Sequence, residues 1–528
     1  MHRLFAAISI PAIFLSALAA VPLAASPSAE QPEVAEGMQG SASPAPVRVA
    51  DREVLSGRLP LREVIGEALA RKPGVEVRRL AVDSALLETR VADASFDPVL
   101  RVSGEAADNR QPQAASDLDG ALRPQSDSLR SGMVLEQPLR DGSSLELGFD
   151  PLDRRGTNST FSQLNPSYDS ALQVTYRLPL LRGGREETRL PGERARIGVL
   201  RAEDEWVAEL ENLVGDVEAA YWTVRLSESA LAFRRRALDV ARLTLEETIA
   251  AEGTRTDVLE ARSQVMLREV DLAAAEKGLE DALDDLFLAS GLLFDSDPGS
   301  LELDPLPQVD SAVPDSGKMF EQALERGTEA RAQQWRLELA ALDVIRARSE
   351  SRPSLDFRVS GGAQGRGGDL GSALEGMSEV DGRFLRGGLE FRMPLGLRAE
   401  RAREAQAELR FRSEELEVDD ARLALYARIR GWCRDLNLAV RQLERAEAAI
   451  ELNETRMAEQ QERRRQGAAL VRDILEAQQA LDDAFTEKLR AQLDIIRARL
   501  ELDAARGALL ERHGIRSRFS NPSNPNHS

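Results

Sequence analysis

Two short stretches set carboxylates at helical spacing behind a glycine. "EGTRTDVLEAR" (252–262) carries Asp257 and Glu260, and "QGAALVRDILEAQ" (466–478) carries Asp473 and Glu476. Acids three residues apart share one face of a helix. Held close together, they repel one another and attract cations. They also suit a helix start, where the backbone dipole favours negative charge. Thr254 and Asp257 have capping-box spacing, and so do Asp473 and Glu476 with Asp473 as the cap. Capping and cation attraction are compatible readings. Other chemistry lacks its parts. The histidines are His2, His513 and His527, and Cys433 is the single cysteine. A His-based catalytic centre or a His-rich metal site has almost nothing to build with. No nucleophile–base pair is visible, so neither an enzyme nor a cofactor is expected. Cys433 can form no intrachain disulfide and reads as a buried thiol.

The elements that must carry these acids are long and solvated. The chain has 528 residues, with 4% aromatic and 30% charged. Narrow apolar seams with charged outer faces fit that balance better than one large core. A net charge of −20 argues against a nucleic-acid partner. The N-terminus has the polar start, apolar run and small-residue site of a secretory signal peptide over 1–25, with cleavage expected between 19 and 29. A Pro-, Ala-, Ser- and Gly-rich linker follows over 26–58. No later stretch approaches the ~18 apolar residues of a spanning helix, so membrane insertion would have to use strands.

The chain then says the same thing twice. "EALARKPGVEVRRLAVDSALLETRVADASFDPVLRVSGEA" (67–106) is paralleled by "QALERGTEARAQQWRLELAALDVIRARSESRPSLDFRVSGGA" (322–363), and "YRLPL" (176–180) by "FRMPL" (391–395). Strands are predicted at 98–104, 170–179, 354–360 and 386–394, each with one apolar and one polar face. Asp141-Gly142 marks a hairpin turn at about 131–150 without a counterpart in the second copy; it either adds staves or projects outside the cell. The stretches 107–128 and 151–169 read as loops. Leu210, Val217, Val224, Leu231, Leu238 and Leu245 recur every seven residues, as do Ile429, Leu436, Leu443, Ile450 and Met457. The first series predicts a helix from about 191 to 251, roughly 90 Å long. Gly253 and Gly467 end the long helices, and return helices run over about 256–290 and to about His513.

The doubled unit, the "YRLPLLRGGR" junction and the two D-[VI]-L-E-A turns resemble the TolC family of outer-membrane efflux proteins over essentially all of residues 59–513. The resemblance implies a mainly α fold with transmembrane β: a tandem-repeat, coiled-coil helical barrel plus a β-barrel shared by a trimer, about four strands per chain. The repeats would span 59–300 and 316–513, joined by a linker over 301–315 and followed by a disordered tail over 514–528. It implies an outer-membrane location with the helices in the periplasm. The partners would be two further copies, outer-membrane lipid, a periplasmic adaptor and an inner-membrane pump. The chain would be the passive exit duct of a tripartite efflux or type I secretion system. By the same resemblance Asp473, Glu476, Asp257 and Glu260 belong to the gate at the periplasmic mouth. Gly253, Thr254, Arg255, Gly467, Ala468 and Leu470 belong to the adaptor-docking turns. Members often carry an Arg two residues after the second turn glycine; here Ala469 stands there, with Arg472 nearby on a different side of the turn. A soluble periplasmic coiled-coil scaffold or adaptor remains the alternative reading of the same heptads.

Overall fold

A computed structural model describes residues 54–55, 57–110, 125–159, 162–250, 254–294, 301–307, 312–379, 382–393, 395–466 and 471–515. The expected signal peptide, nearly all of the expected 26–58 linker and most of the expected tail lie outside these residues.

Two short parallel pairs open the fold: β1 (Val54–Leu55) with β7 (Leu293–Phe294), and β2 (Gly57–Leu59) with β8 (Leu301–Leu303). The helices α1 (Leu61–Arg71) and α2 (Pro73–Asp93) are separated at Lys72, because Pro73 excludes the preceding residue from helical geometry. A 3-10 turn (Ala94–Phe96) leads into four strands: β3 (Val99–Arg110), β4 (Gln125–Pro138), β5 (Ser144–Thr157) and β6 (Ser167–Pro179). The helices α3 (Arg185–Ala250) and α4 (Arg255–Ser290) complete this series. The order then recurs: α5 (Ser316–Arg326), α6 (Thr328–Glu350), β9 (Ser354–Gly367), a short α7 (Leu370–Gly376), β10 (Arg383–Arg392), α8 (Arg398–Arg465), α9 (Val471–Ala505) and α10 (Leu509–Arg512).

The 66 residues of α3 and 68 of α8 make rods of about 100 Å at 1.5 Å per residue. Their heptad residues form the seam: Val217 and Val224 on α3 and Ile429 and Leu436 on α8 are fully or nearly fully buried. Cys433 is buried among them, as expected. Below the sheet the helices lie side by side in the order α2, α3, α6, α8. Asp204 on α3 fastens the middle pair by accepting from Arg331 Nε at 2.9 Å and Trp335 Nε1 at 2.7 Å on α6. Where α1, α3, α4 and the end of α9 meet, Tyr221 is enclosed; its hydroxyl donates to the Leu59 carbonyl at 2.8 Å and accepts from the Asp304 amide at 2.7 Å.

Three boundaries differ from the sequence reading. The α3 helix begins ahead of Pro191, because the Glu187 carboxylate accepts from the Gly183 amide at 2.8 Å and fixes the first turn there. The expected last helix is broken in two: α9 stops at Ala505, and α10 carries helical structure on to Arg512. Gly507 takes φ +67°, and a side chain there would come within 2.9 Å of the Arg326 carbonyl oxygen. The third difference is the sheet, which has six antiparallel strands in the order β10-β9-β6-β5-β4-β3 rather than about four. The additional hairpin is β4–β5, paired along its length with β3 on one side and β6 on the other. Parts of the expected loops, 107–110, 125–128, 151–157 and 167–169, are strand. Alternation fails there because cross-strand charge pairs replace apolar contacts: Arg130 meets Asp153 at 3.2 Å, and Arg154 pairs with Asp127.

Candidate functional site at the helical turns and the sheet

The two turns come together through their return helices. Ala261 on α4 is buried against Val471 and Leu475 on α9, with Leu245 of α3 beside them. This small apolar contact brings the acids of both turns to one end of the molecule. Glu260, Asp473 and Glu476 all act on Arg472. Its Nε donates to Glu476 at 2.9 Å, and the guanidinium is held above its ordinary value first by that bond, with Glu260 and Asp473 adding to it. Glu476 is thus paired within its own helix. Asp257 is engaged differently. Its carboxylate accepts from the Thr254 amide while the Thr254 hydroxyl accepts from the Asp257 amide, both at 3.2 Å, closing the expected capping box. The second turn departs from expectation, because α9 opens at Val471 and Asp473 lies inside its first turn instead of capping it. There the helix dipole still favours its charge. Arg255 is exposed in the first turn of α4. Gly253, Gly467, Ala468 and Leu470 lie outside the described residues.

One heptad along from that contact is a feature the sequence reading missed. Arg268 follows Ala261 by one heptad and Asp482 follows Leu475 by one heptad, so both charges occupy seam positions. They form an ion pair with each other, buried to 5% and 4% exposure. Arg234 of α3 reaches the same Asp482 carboxylate at 2.8 Å, and Arg268 also holds Asp271 at 3.1 Å. Phe233 and Phe485 stack alongside, centroids 3.9 Å apart. Arg464 of α8 donates to the Thr248 hydroxyl of α3 closer to the turns. The two helical hairpins are therefore tied by charge as well as by apolar packing. A charged residue in a register of buried ones is the signal that could have revealed this tie.

At the other end, the sheet separates its faces over the part nearest the helices. Directly paired residues share a face, and one transverse row reads Leu100, Leu135, Leu147, Val174, Gly361, Leu385. Its apolar side chains are exposed by 40% to 80% in the single chain. The opposite face carries Glu105, Arg130, Asp153, Asp169 and Arg366 in register, with the ion pairs Arg130–Asp153 and Arg366–Asp169. The edge strands β3 and β10 are exposed along nearly their whole length.

The family model described as outer membrane efflux protein matches residues 319–508. No curated protein matches the chain in sequence. Among solved structures, a membrane protein from Pseudomonas aeruginosa superposes with a TM-score of 0.62 at 18% identity, over 84% of this chain and 90% of that one. The outer membrane protein VceC from Vibrio cholerae gives 0.60 at 17%, over 85% and 96%. The CmeC outer membrane channel from Campylobacter jejuni gives 0.60 at 14%, over 85% of each. These are likenesses of fold: long paired helices joined to a β domain.

Proposed function

We propose, for a chain whose residues 319–508 belong to the outer membrane efflux protein family and whose fold is that of outer-membrane channels, that three copies form a passive exit duct. The observation that carries this reading is the sheet: an exposed apolar row on one face, ion pairs on the other, and strands of 10 to 14 residues. A spanning strand needs about 9–11 residues, and an apolar lipid face opposite a polar lumen is the pattern of membrane barrels. The exposed edges call for neighbours, and joining β10 of one copy to β3 of the next gives an antiparallel pair, because consecutive strands run up and down in turn. Three copies close such a ring by rotation.

In this reading the two repeats, 59–300 and 316–513, each send one helical hairpin through the periplasm to the mouth. The turns around Gly253, Thr254 and Arg255, and around Gly467, Ala468 and Leu470, dock the adaptor, through which an inner-membrane pump supplies the energy. Asp473, Glu476, Asp257 and Glu260 form the cation-attracting gate. With Ala469 in place of the usual Arg, the mouth is held by the Arg268–Asp482 pair between the two hairpins.

Fractionation tests the duct. The chain should require detergent for extraction from outer membranes and should run as a trimer that heat dissociates; release by a salt wash would favour a soluble scaffold. In planar bilayers, Asp473→Ala with Glu476→Ala should raise conductance severalfold and weaken block by divalent cations. Unchanged conductance and block would remove the gate from these residues.

A further inference from the structure

The hairpin β4–β5 has no partner in the second half of the chain, yet it occupies the middle of the sheet. Its apolar face is in register with the rest: Leu147 pairs with Leu135 on one side and Val174 on the other, and Phe149 with Met133 and Leu172. Its other face presents Glu136, Glu146 and Gly148 in line with Thr175 and Gln173 of β6. The hairpin is also clamped at its base. Thr188 of α3 donates to the Arg140 carbonyl at 3.0 Å, and Gln137 donates to the Phe96 carbonyl at 2.7 Å. Gly142, at φ +87°, lies against Gly183 and Gly184, where any side chain would collide with the Gly183 carbonyl oxygen. A hairpin projecting from the cell surface would need neither the matched faces nor this seat.

Resting on the trimeric duct proposed above, we infer that the membrane wall has eighteen strands, six from each copy, and encloses an exit wide enough for bulky hydrated solutes. Strands about 4.8 Å apart and tilted by about 40° each occupy about 6 Å of girth. Six of them span about 38 Å. The four helices side by side beneath, at about 9 Å each, span about 36 Å. Eighteen strands close into a ring about 36 Å across its backbone, against about 24 Å for twelve. After inward side chains, the wider ring leaves an opening of about 2 nm. The barrel then imposes no size limit tighter than the tunnel beneath it, and selection by size falls to the helical turns. The cargo class is hydrated solutes or polymer segments approaching that width.

Site-directed fluorescence tests this on the full-length protein in liposomes. In a Cys433→Ser background, Leu147→Cys and Glu146→Cys report on the hairpin, and Leu172→Cys and Gln173→Cys on β6. Each carries an environment-sensitive dye challenged with nitroxide-labelled lipid and with aqueous iodide. Lipid quenching at 147 and 172, with iodide quenching at 146 and 173, is the expected result. Lipid quenching at 172 with only aqueous quenching at 147 would overturn the eighteen-strand wall and leave the duct standing. Aqueous quenching at 172 would remove the duct itself. Top views in nanodiscs give the second measure: a ring of about 36 Å is expected, and one of about 24 Å would return the wall to twelve strands.

Discussion

Glu211 shows how one buried group contributes to the pH response of the long helix. It is 3% exposed on α3, and burial pushes its carboxyl up to about 7, with Arg331 opposing the shift. An acid that binds its proton more tightly when folded stabilises the folded chain below its unfolded value and loses that contribution as pH rises. The loss runs from the ordinary value of 4.5 to about 7. It amounts to about 3 kcal/mol by pH 8. Glu211→Gln should therefore raise the unfolding midpoint at pH 8 and change little at pH 4.5; equal effects at both would mean the carboxyl is charged throughout. Glu218 behaves oppositely. His513, Arg512 and Trp222 hold its carboxyl below the usual range despite burial. The Arg268–Asp482 pair carries a larger stake, because removing one partner leaves the other charge buried with a single remaining ion-pair contact, Asp271 for Arg268 or Arg234 for Asp482. Asp482→Ala or Arg268→Ala should cost about 3–5 kcal/mol, whereas Arg268→Met with Asp482→Leu should cost much less. Denaturant titration of the three variants distinguishes the outcomes, and equal losses for single and double changes would show that packing, not charge, holds the hairpins.

Elements were legible where one period ran long enough to be read. Val217 and Val224 belong to a heptad series sustained over α3, and they are buried in it. The first capping box was legible too, since Thr254 and Asp257 are three apart and each side chain accepts from the other's backbone amide. Thr254→Ala should cost about 1 kcal/mol and speed amide exchange in the first turn of α4; unchanged exchange would mean the turn is held by packing alone. The full length of β4 and β5 was hidden, because Asp127, Arg130, Asp153 and Arg154 make the upper strands polar on both faces. The tie between Arg268 and Asp482 was hidden for another reason: it depends on the register between helices from different halves of the chain. Gly142 belongs to this scale as well. Gly142→Val should loosen the seat of the hairpin and, in the proposed trimer, lower the dissociation temperature by several degrees, read on unheated and heated gels.

At the scale of the whole molecule, the two ends of one chain ask different things of its neighbours. The helical end is largely satisfied within the chain, since each hairpin has its seam and its ties. The sheet is not. Among the described residues, no strand pairs with the outer edge of β3 or of β10, which leaves a row of backbone amides and carbonyls open on each. In hydrocarbon each such group costs several kcal/mol, far beyond what the apolar row could return. A lone copy is thus barred from the bilayer, whereas nothing bars its helices from meeting others in water. For the proposed trimeric duct this sets an order: association must precede insertion, with the helices gathering three chains and the wall entering lipid as one closed unit. Exporting the chain slowly, at concentrations too low for encounter, should strand it as a water-borne intermediate open to proteases along those same two edges.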